Sequence, residues 1–272
     1  MNRSGDILLN TALVEAWPGG LLRARGNHDA RLLAGADRVL RRKQDGRYLA
    51  VVADGVLQPL RPAFATAPGL DEAMRLVKGF RAHRRPGVEA VPLLPLQRLR
   101  ERLDQLGIDG DDYAARTGLS LVPEPQWLAL AGFDRFQRPL WLHADAALAW
   151  AAMQADALRA GVILEAISGY RSHDYQLGIF ERKIERGITL ADILTVNAAP
   201  GYSEHHSGLA LDIGMPGEPP AEESFEATPA FDWLQANAAA HGFKLSYPRG
   251  NPHGIAYEPW HWAYAPASTM GG

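Results

Sequence analysis

The chain has 272 residues, of which 47% are hydrophobic and 22% are charged, and this balance is typical of a globular protein with one large domain or two ordinary ones. The net charge of −3 argues against nucleic acid as a partner, and no apolar run approaches the roughly 18 residues of a membrane span. Cysteine is absent, which excludes disulfides and leaves histidines and carboxylates as the ligands for any transition metal.

The first 60 residues are expected to be rich in strands. Two Asp-Gly pairs, Asp45-Gly46 and Asp54-Gly55, each separate two apolar-rich runs. Asp-Gly favours a two-residue hairpin turn because both central positions need positive φ, so the pattern predicts a three-stranded meander. The N-terminal 20 residues lack the apolar segment and cleavage site of a signal peptide. Either the protein is cytoplasmic or the sequence shown lacks its export signal.

Two helices are predicted next. Asp71 and Glu72 lie in the first turn of a helix over residues 71–84, which Pro86-Gly87 ends. A second helix carries a leucine stripe that faces a core and closes at Gly107. The leucines of this stripe are Leu96, Leu99, Leu103 and Leu106. Prolines mark linkers between residues 86 and 140, and we divide the chain there into an N-terminal region, 1–130, and a second domain, 131–272.

The second domain mixes helices with short strands. Helices are predicted over 143–161, from the N-cap Ser172 to Gly187, and from the N-cap Thr228 to Gly242. Strands are predicted over 162–167, 208–213 and around 255–264. No strict strand-helix-strand rhythm is present, and the pattern therefore favours an α+β fold.

One strand carries a carboxylate among apolar residues. In "GLALDI", Leu209, Leu211 and Ile213 point to one face, and Ala210 and Asp212 point to the other. A buried carboxylate needs a partner, because an unpaired buried charge is costly. On this strand alone the partner could be a metal, a cluster of backbone N–H groups or an arginine.

Two further segments carry chemistry. In "YEPWHWAY", Pro259 cannot donate to a strand ladder, and a turn or bulge there could aim Glu258 and His261 at one point. Arg171 lies where a strand runs into a helix N-terminus, in "SGYRSHDYQ". Two histidines, one aspartate and a nearby glutamate match the ligand count and the general base of a catalytic zinc site.

Together these segments resemble the VanY-like D-alanyl-D-alanine carboxypeptidases, zinc peptidases that trim bacterial cell-wall stem peptides. The family's S-x-H-x-x-G-x-A-x-D pattern is met by Ser203, His205, Gly208, Ala210 and Asp212. Its E-x-W-H pattern is met by Glu258, Trp260 and His261. Its S-G-Y-R-S segment is met by residues 168–172, and its following Gln by Gln176. The resemblance covers residues 140–265, about half of the chain.

The resemblance implies the roles of the site residues. Zinc would be held by His205, Asp212 and His261, with one ion per chain. Glu258 would be the catalytic base, and Arg171 would stabilise the oxyanion or hold the substrate carboxylate. The substrate pocket would be lined by Ser168, Ser203 and Gln176. The implied fold is a small antiparallel sheet with flanking helices that carries the zinc site, preceded by an N-terminal strand-and-helix extension.

Other residues near the motifs have less specific interpretations. His206 falls on a variable position of the family pattern and is expected beside the ligands or on the surface. His173 is expected to face solvent, and His253 to lie in an exposed loop or to contact substrate. The family usually has an arginine two residues after the second zinc histidine, where this chain has Ala263. That departure puts the substrate preference in doubt more than the catalysis.

The implied activity is zinc-dependent removal of the terminal D-alanine from peptidoglycan stem peptides or muropeptide precursors. The same fold hosts L,D-carboxypeptidases, D,D-dipeptidases and phage-type endopeptidases, and the motifs do not separate D,D from L,D activity. The rival of another class is a non-catalytic zinc domain that binds wall peptides. The family substrate lies outside the cytoplasmic membrane, so a cytoplasmic protein would act on recycled muropeptides or precursors. The N-terminal region resembles no family that we can name, and a wall-binding module, a lid over the cleft and a structural extension all fit its predicted meander and helices.

Overall fold

The computed structural model describes residues 7–22, 24, 26–80, 91–96 and 98–265. The strands are β1 (Ile7–Asn10), β2 (Val14–Pro18), β3 (Arg38–Arg42), β4 (Tyr48–Ala53), β5 (Val56–Pro59), β6 (Trp127–Phe133), β7 (Pro139–Leu142), β8 (Glu165–Ser168), β9 (Ala210–Gly214), β10 (Phe243–Leu245) and β11 (His261–Tyr264). The α-helices are α1 (Asn27–Ala34), α2 (Leu70–Gly79), α3 (Leu99–Gln105), α4 (Gly110–Thr117), α5 (Ala144–Arg159), α6 (His173–Glu185), α7 (Leu190–Val196) and α8 (Pro229–Asn237). None of the described helices is long and apolar enough to cross a membrane.

The chain forms two compact units. The first comprises residues 1–95 and 125–130, and the second comprises residues 96–124 and 131–272. Leu99 and Leu103 of α3 lie in one buried cluster with Phe180 and Ile193 of the second unit. The segment 96–124 therefore packs with the second unit, whereas the sequence-based division assigned it to the N-terminal region.

The first unit is an antiparallel sheet with the strand order β5-β4-β3-β2-β1-β6. The predicted meander is confirmed as β3, β4 and β5. Asp54 and Gly55 have φ values of 51° and 75°, so this Asp-Gly pair forms the predicted two-residue turn. The first pair, Asp45-Gly46, was predicted wrongly as such a turn, because the bond from Arg42 N–H to the Arg47 carbonyl at 2.9 Å closes a longer loop. The Asp45 carboxylate stabilises this loop by accepting from Arg47 N–H at 3.1 Å.

The helix predicted over 71–84 is shorter than expected. It corresponds to α2, which ends at Gly79, and Phe80 is already extended with a φ of −71° and a ψ of 123°. The predicted stop at Pro86-Gly87 and the last part of the predicted helix lie outside the described residues.

The second unit is built on an antiparallel sheet with the order β10-β11-β9-β8. Trp150 of α5 and Phe231 of α8 lie in the core cluster of this unit with Leu211 and Ile213 of β9, so both helices pack in that core. The α+β prediction is confirmed. The N-caps are confirmed too, since Ser172 Oγ accepts from Tyr175 N–H at 3.1 Å and Thr228 Oγ1 accepts from Phe231 N–H at 3.2 Å.

All three strands predicted in this domain differ from their predicted ranges. The strand predicted over 208–213 is β9, which spans Ala210–Gly214. The strand predicted over 162–167 is found as β8, which begins at Glu165 and ends at Ser168. The strand predicted around 255–264 is β11, which begins only at His261. The residues before His261 form a turn that contains Pro259, which is consistent with the inability of proline to donate to a ladder.

Candidate metal centre

The centre is built on a row of residues across three strands. Strand β9 lies between β8 and β11, and its Asp212 pairs with His261 on one side and with Ser168 on the other. Leu211 and Ile213 of β9 are buried in the core cluster. The alternation predicted for this strand is therefore confirmed, and it directs Asp212 to the opposite face.

His205 reaches the same place from the turn that precedes β9. This turn spans Glu204–Ser207 and ends at Gly208, whose φ of 72° belongs to the left-handed region that glycine adopts readily. His205 Nδ1 lies 2.7 Å from the Gly169 carbonyl oxygen, which can only accept, so Nδ1 carries the proton. The lone pair is then at Nε2, which lies 3.3 Å from Asp212 Oδ1.

His261 is presented by a turn at the start of β11. Its N–H donates to the Glu258 carbonyl at 3.1 Å, which closes the turn around Pro259. His261 Nδ1 lies 3.1 Å from Asp212 Oδ1 and 3.7 Å from Glu258 Oε2. The predicted turn at Pro259 therefore brings Glu258 and His261 together, as expected.

The three side chains form a group that could hold a metal ion. His205, Asp212 and His261 are buried, and each offers one ligand atom within 4.8 Å of the other two. Tetrahedral zinc with bonds of about 2.0–2.2 Å separates its ligand atoms by about 3.3–3.6 Å. Asp212 Oδ1 lies at similar distances from the two imidazole nitrogens, 3.3 Å from His205 Nε2 and 3.1 Å from His261 Nδ1. His205 Nε2 is a buried polar atom with no hydrogen-bond partner among the described residues. A metal ion would give that nitrogen the partner it lacks, and the residues fit zinc.

The electrostatics of the group follow from burial and from the shared carboxylate. Burial, helped by the nearby Arg171, lowers the pKa of His205 to about 4, so its imidazole is neutral at pH 7. Burial acts in the same direction on His261, but its hydrogen bonds with Asp212 and Glu204 outweigh it and raise the pKa to about 10. The pKa of Asp212 is lowered, because the two imidazoles outweigh the opposite effect of burial.

A narrow cleft opens beside this group. Its lining includes Arg171, Gln176, Ser203, Tyr247, Glu258 and His261. Burial raises the pKa of Glu258 to about 7, so this carboxyl can exchange a proton near neutral pH. Arg171 Nε and Gln176 Oε1 are buried and have no hydrogen-bond partner among the described residues. The cleft therefore combines a carboxyl group that can take up or release a proton at neutral pH with unpaired polar atoms that could bond to a ligand.

Ser168, which the family resemblance implied in substrate binding, is placed differently. It lies opposite Asp212 in the sheet, and it is not among the described residues that line the cleft. Ser203 and Gln176 do line the cleft, so the structure brings together two of the three implied substrate contacts.

His206 lies in the interior and is not a surface residue. Its Nδ1 donates to the Arg171 carbonyl at 2.7 Å, and its Nε2 accepts from Gly201 N–H at 3.0 Å. Burial, together with the neighbouring His173, holds its pKa well below the usual value, so the ring is neutral. His206 thus joins the backbone of the Arg171 segment to the loop before His205.

His173 was predicted to face solvent, and this prediction was wrong. Only 5% of the residue is exposed. Its N–H donates to Glu124 Oε1 at 2.9 Å, and its ring Nε2 donates to the Val122 carbonyl at 2.8 Å. The cause is the segment around residues 122–124, which packs on the N-terminus of α6. His253 is half-buried, and its Nδ1 donates to the Thr117 carbonyl at 2.8 Å.

Replacing His206 by Phe is expected to lower the free energy of unfolding by about 2–6 kcal/mol, because it leaves the Arg171 carbonyl and the buried Gly201 N–H unpaired at about 1–3 kcal/mol each. Urea unfolding of the two proteins measures the difference. His253→Phe is the matched control, with an expected loss below about 1 kcal/mol, since water can replace a hydrogen bond at a half-buried position. Equal stability of His206→Phe and wild type would contradict the bridging role.

Sequence reasoning missed two residues at the centre. The Glu204 carboxylate lies 2.9 Å from His261 Nε2, and contacts with His261 outweigh burial to lower its pKa to about 2. In the sequence, Glu204 was marked only by its place between Ser203 and His205, at a variable position of the S-x-H-x-x-G-x-A-x-D pattern. The Tyr247 ring lies 4.9 Å from the His261 ring, and burial raises the pKa of its phenol, which stays protonated. No motif marked this tyrosine.

Comparison with known proteins places the chain in a family. A family profile described as "VanY: D-alanyl-D-alanine carboxypeptidase" matches residues 139–267. A bifunctional D-Ala-D-Ala dipeptidase and carboxypeptidase, VanXYC of Enterococcus gallinarum, is 31% identical over 147 residues, which are 52% of this chain and 75% of that protein. The chain belongs to the VanY family. The resemblance drawn from the sequence motifs is confirmed.

Other VanY relatives match over a smaller part of their length. A D-alanyl-D-alanine carboxypeptidase of Enterococcus faecium is 34% identical over 136 residues. The alignment covers 49% of this chain and 40% of that protein. The chain spans about half the length, 49%, of the YodJ protein of Bacillus subtilis, which is 38% identical. Among solved structures, the LdcB LD-carboxypeptidase is 33% identical, with a TM-score of 0.45 over 49% of this chain and 65% of that one.

The departure at Ala263 can be located within the VanY motif. Ala263 is buried in β11 and pairs with Ala210 of β9. By strand alternation, Ala263 faces the same side of the sheet as His261. The position where the family usually has an arginine therefore holds a small apolar side chain beside the metal group.

Proposed function

We propose that this protein is a zinc-dependent D-alanyl-D-alanine carboxypeptidase that releases the terminal D-alanine from peptidoglycan stem peptides or their precursors. The observation that carries the proposal is the convergence of His205 Nε2, Asp212 Oδ1 and His261 Nδ1 beside Glu258. Catalytic zinc sites have three protein ligands and an open position, whereas structural sites are closed by four. Membership of the VanY family supports the substrate class.

The ligands in this proposal are His205, Asp212 and His261. A bound zinc ion supplies Lewis acidity toward a carbonyl oxygen and lowers the pKa of water to about 7. Neutral His205 and ionised Asp212 are in the protonation states that metal binding requires. His261, whose pKa is raised to about 10, would release one proton when an ion binds. The net charge of this ligand set is −1 with both imidazoles neutral, which partly compensates a divalent cation.

Glu258 is the general base of the proposed reaction. Its carboxylate takes the proton from the water that attacks the carbonyl carbon, and delivers it to the amine nitrogen when the C–N bond breaks. Because water is the nucleophile, no covalent acyl-enzyme forms. A pKa of about 7 suits both steps, because the group is neither too weak a base nor too weak an acid at neutral pH.

Arg171 and the polar lining of the cleft orient the substrate. The guanidinium, whose Nε is buried, stabilises the negative charge that develops on the carbonyl oxygen, or holds the terminal carboxylate. Ser203 and Gln176 contact the terminal residue from the same cleft. Every residue of the proposed machinery belongs to the second unit, and we propose that this unit is the catalytic domain.

The proposal is tested by mass analysis of the products. The zinc-loaded protein is incubated with a stem pentapeptide ending in D-Ala-D-Ala, with a tetrapeptide and with the dipeptide D-Ala-D-Ala, each with and without a chelator. The expected result is chelator-sensitive loss of one D-alanine from the pentapeptide. A pentapeptide ending in L-alanine is the matched control and should stay intact. Release from the tetrapeptide alone would replace D,D by L,D specificity, and cleavage of the dipeptide alone would make the protein a dipeptidase.

A further inference from the structure

Glu204 occupies a defined place in the centre without belonging to the ligand group. It opens the turn Glu204–Ser207, and its side chain is 30% exposed. Its Oε2 lies 2.9 Å from His261 Nε2, within hydrogen-bond distance. The ligand group of the described residues contains His205, Asp212 and His261 but not Glu204.

The His261 ring stands between two sets of carboxylates. Its Nε2 edge faces Glu204, whereas its Nδ1 edge faces Asp212 Oδ1 at 3.1 Å and Glu258 Oε2 at 3.7 Å. The two nitrogens of an imidazole direct their bonds away from each other, so a group that contacts Nε2 cannot share the ion bound at Nδ1. Glu204 is therefore neither a fellow ligand at that ion nor the base beside it.

The contact decides which nitrogen of His261 carries the proton. An ionised carboxylate can only accept a hydrogen bond, so Nε2 is a donor to Glu204. Nδ1 faces a second carboxylate, Asp212, and can bind an ion only after it gives up its own proton. In the neutral ring that binds an ion, the remaining proton is therefore at Nε2 and the lone pair is at Nδ1. His205 uses the opposite arrangement, because its Nδ1 donates to the Gly169 carbonyl and its Nε2 is left for the ion. Each imidazole is thus oriented by one acceptor behind it, a carbonyl for His205 and a carboxylate for His261.

We infer that Glu204 is a positioning residue that fixes the tautomer and the ring orientation of His261, so that Nδ1 is presented to the metal ion. The inference rests on the metal site of the proposed function. A hydrogen-bond acceptor behind a metal-bound imidazole fixes the tautomer and the orientation of the ring. Removing such an outer partner typically weakens metal binding by about 10–100-fold.

The test is zinc affinity, measured on the full chain by competition with a chromophoric chelator. Glu204→Ala is expected to bind zinc about 10–100-fold more weakly than wild type. Glu204→Gln keeps an amide oxygen that can accept from Nε2, and its affinity should stay within about threefold of wild type. Glu222→Ala removes an exposed carboxylate of the loop after β9 and should change nothing. If Glu204→Ala does not fold, Glu204→Met, which keeps the volume without the acceptor, replaces it.

The visible absorption spectrum of the cobalt-substituted protein is a second measurement that does not depend on turnover. The visible absorption bands of Co²⁺ report ligand geometry, and they should shift in Glu204→Ala while Glu204→Gln and Glu222→Ala keep the wild-type spectrum. Wild-type affinity and spectrum in Glu204→Ala would overturn the inference and leave the proposed activity untouched. Equal weakening in Glu204→Ala and Glu204→Gln would also overturn it, because charge and not the hydrogen bond would then act. A wild-type protein that binds zinc but releases no amino acid would refute the activity alone.

Discussion

Glu258→Gln is expected to lower kcat/KM for D-alanine release by about 10²–10⁴-fold, the usual contribution of a general acid-base group. The amide keeps the shape of the side chain but cannot take the proton from water or return it to the leaving amine. Zinc affinity should stay within about threefold of wild type, because the Glu258 carboxylate lies 3.7 Å from His261 Nδ1 and outside the ligand group. Steady-state release of D-alanine and chelator competition measure the two quantities on the same preparation.

The control for this variant is Glu226→Gln, which changes a carboxylate that pairs with Arg249 outside the lining of the cleft. It should hydrolyse at the wild-type rate. A Glu258→Gln protein with full activity would remove the proposed mechanism. If the wild type binds zinc but shows no hydrolysis of any peptide, the rival function, binding of wall peptides without catalysis, gains support.

The pH dependence of the reaction follows from the same carboxylate. Glu258 acts as a base only when ionised, and burial raises its pKa to about 7. Since a neighbouring cation favours the ionised form, kcat/KM should rise with pH through a value at or below about 7 in the zinc-loaded protein. The residual activity of Glu258→Gln should lack this limb, which a pH series on both proteins would show.

Local rules predicted the parts of the site that depend on a few neighbouring residues. Strand alternation in "GLALDI" separated Asp212 from the core residues, and Pro259 indicated the turn that joins Glu258 to His261. The caps at Ser172 and Thr228 fixed where helices begin. Each of these features is decided by residues within about one turn of the chain, and it can therefore be predicted from the local sequence.

Contacts between distant segments could not be read in the same way. The burial of His173 depends on Glu124, which is 49 residues earlier in the chain. The place of α3 in the second unit depends on a buried cluster that Leu99 shares with residues such as Ile193. A leucine stripe indicates that a helix faces a core, but it does not say which core.

The Glu204 contact shows the same limit at the metal centre. Glu204 and His261 are 57 residues apart, and the family pattern treats position 204 as variable. Two motifs gave the three candidate ligands, because one turn and strand constrain the spacing of His205 and Asp212, and a second turn constrains that of Glu258 and His261. They could not give the acceptor behind His261, since that contact arises only when the turn before β9 packs against the start of β11.

Asp212→Asn is expected to abolish both zinc binding and hydrolysis. Asp212 Oδ1 lies 3.3 Å from His205 Nε2 and 3.1 Å from His261 Nδ1. The negative charge of this one oxygen therefore lies between the two ring nitrogens that would bind the ion. The neutral amide is a poor zinc ligand and does not offset the charge of the ion. The loss of affinity should exceed the about 10–100-fold expected for an outer-shell partner such as Glu204.

Thermal unfolding with and without zinc measures this effect independently of turnover. At a free zinc concentration of 100 times Kd, binding to the folded state adds about 2.7 kcal/mol to the free energy of unfolding of the wild type. Asp212→Asn should show no zinc-dependent rise in Tm at that concentration, whereas the exposed control Asp232→Asn should show the full rise. A zinc-dependent rise in Asp212→Asn equal to that of wild type would mean that the ion binds elsewhere. Because the carboxylate is the shared neighbour of both histidines, that result would remove the metal centre from which the proposed chemistry is derived.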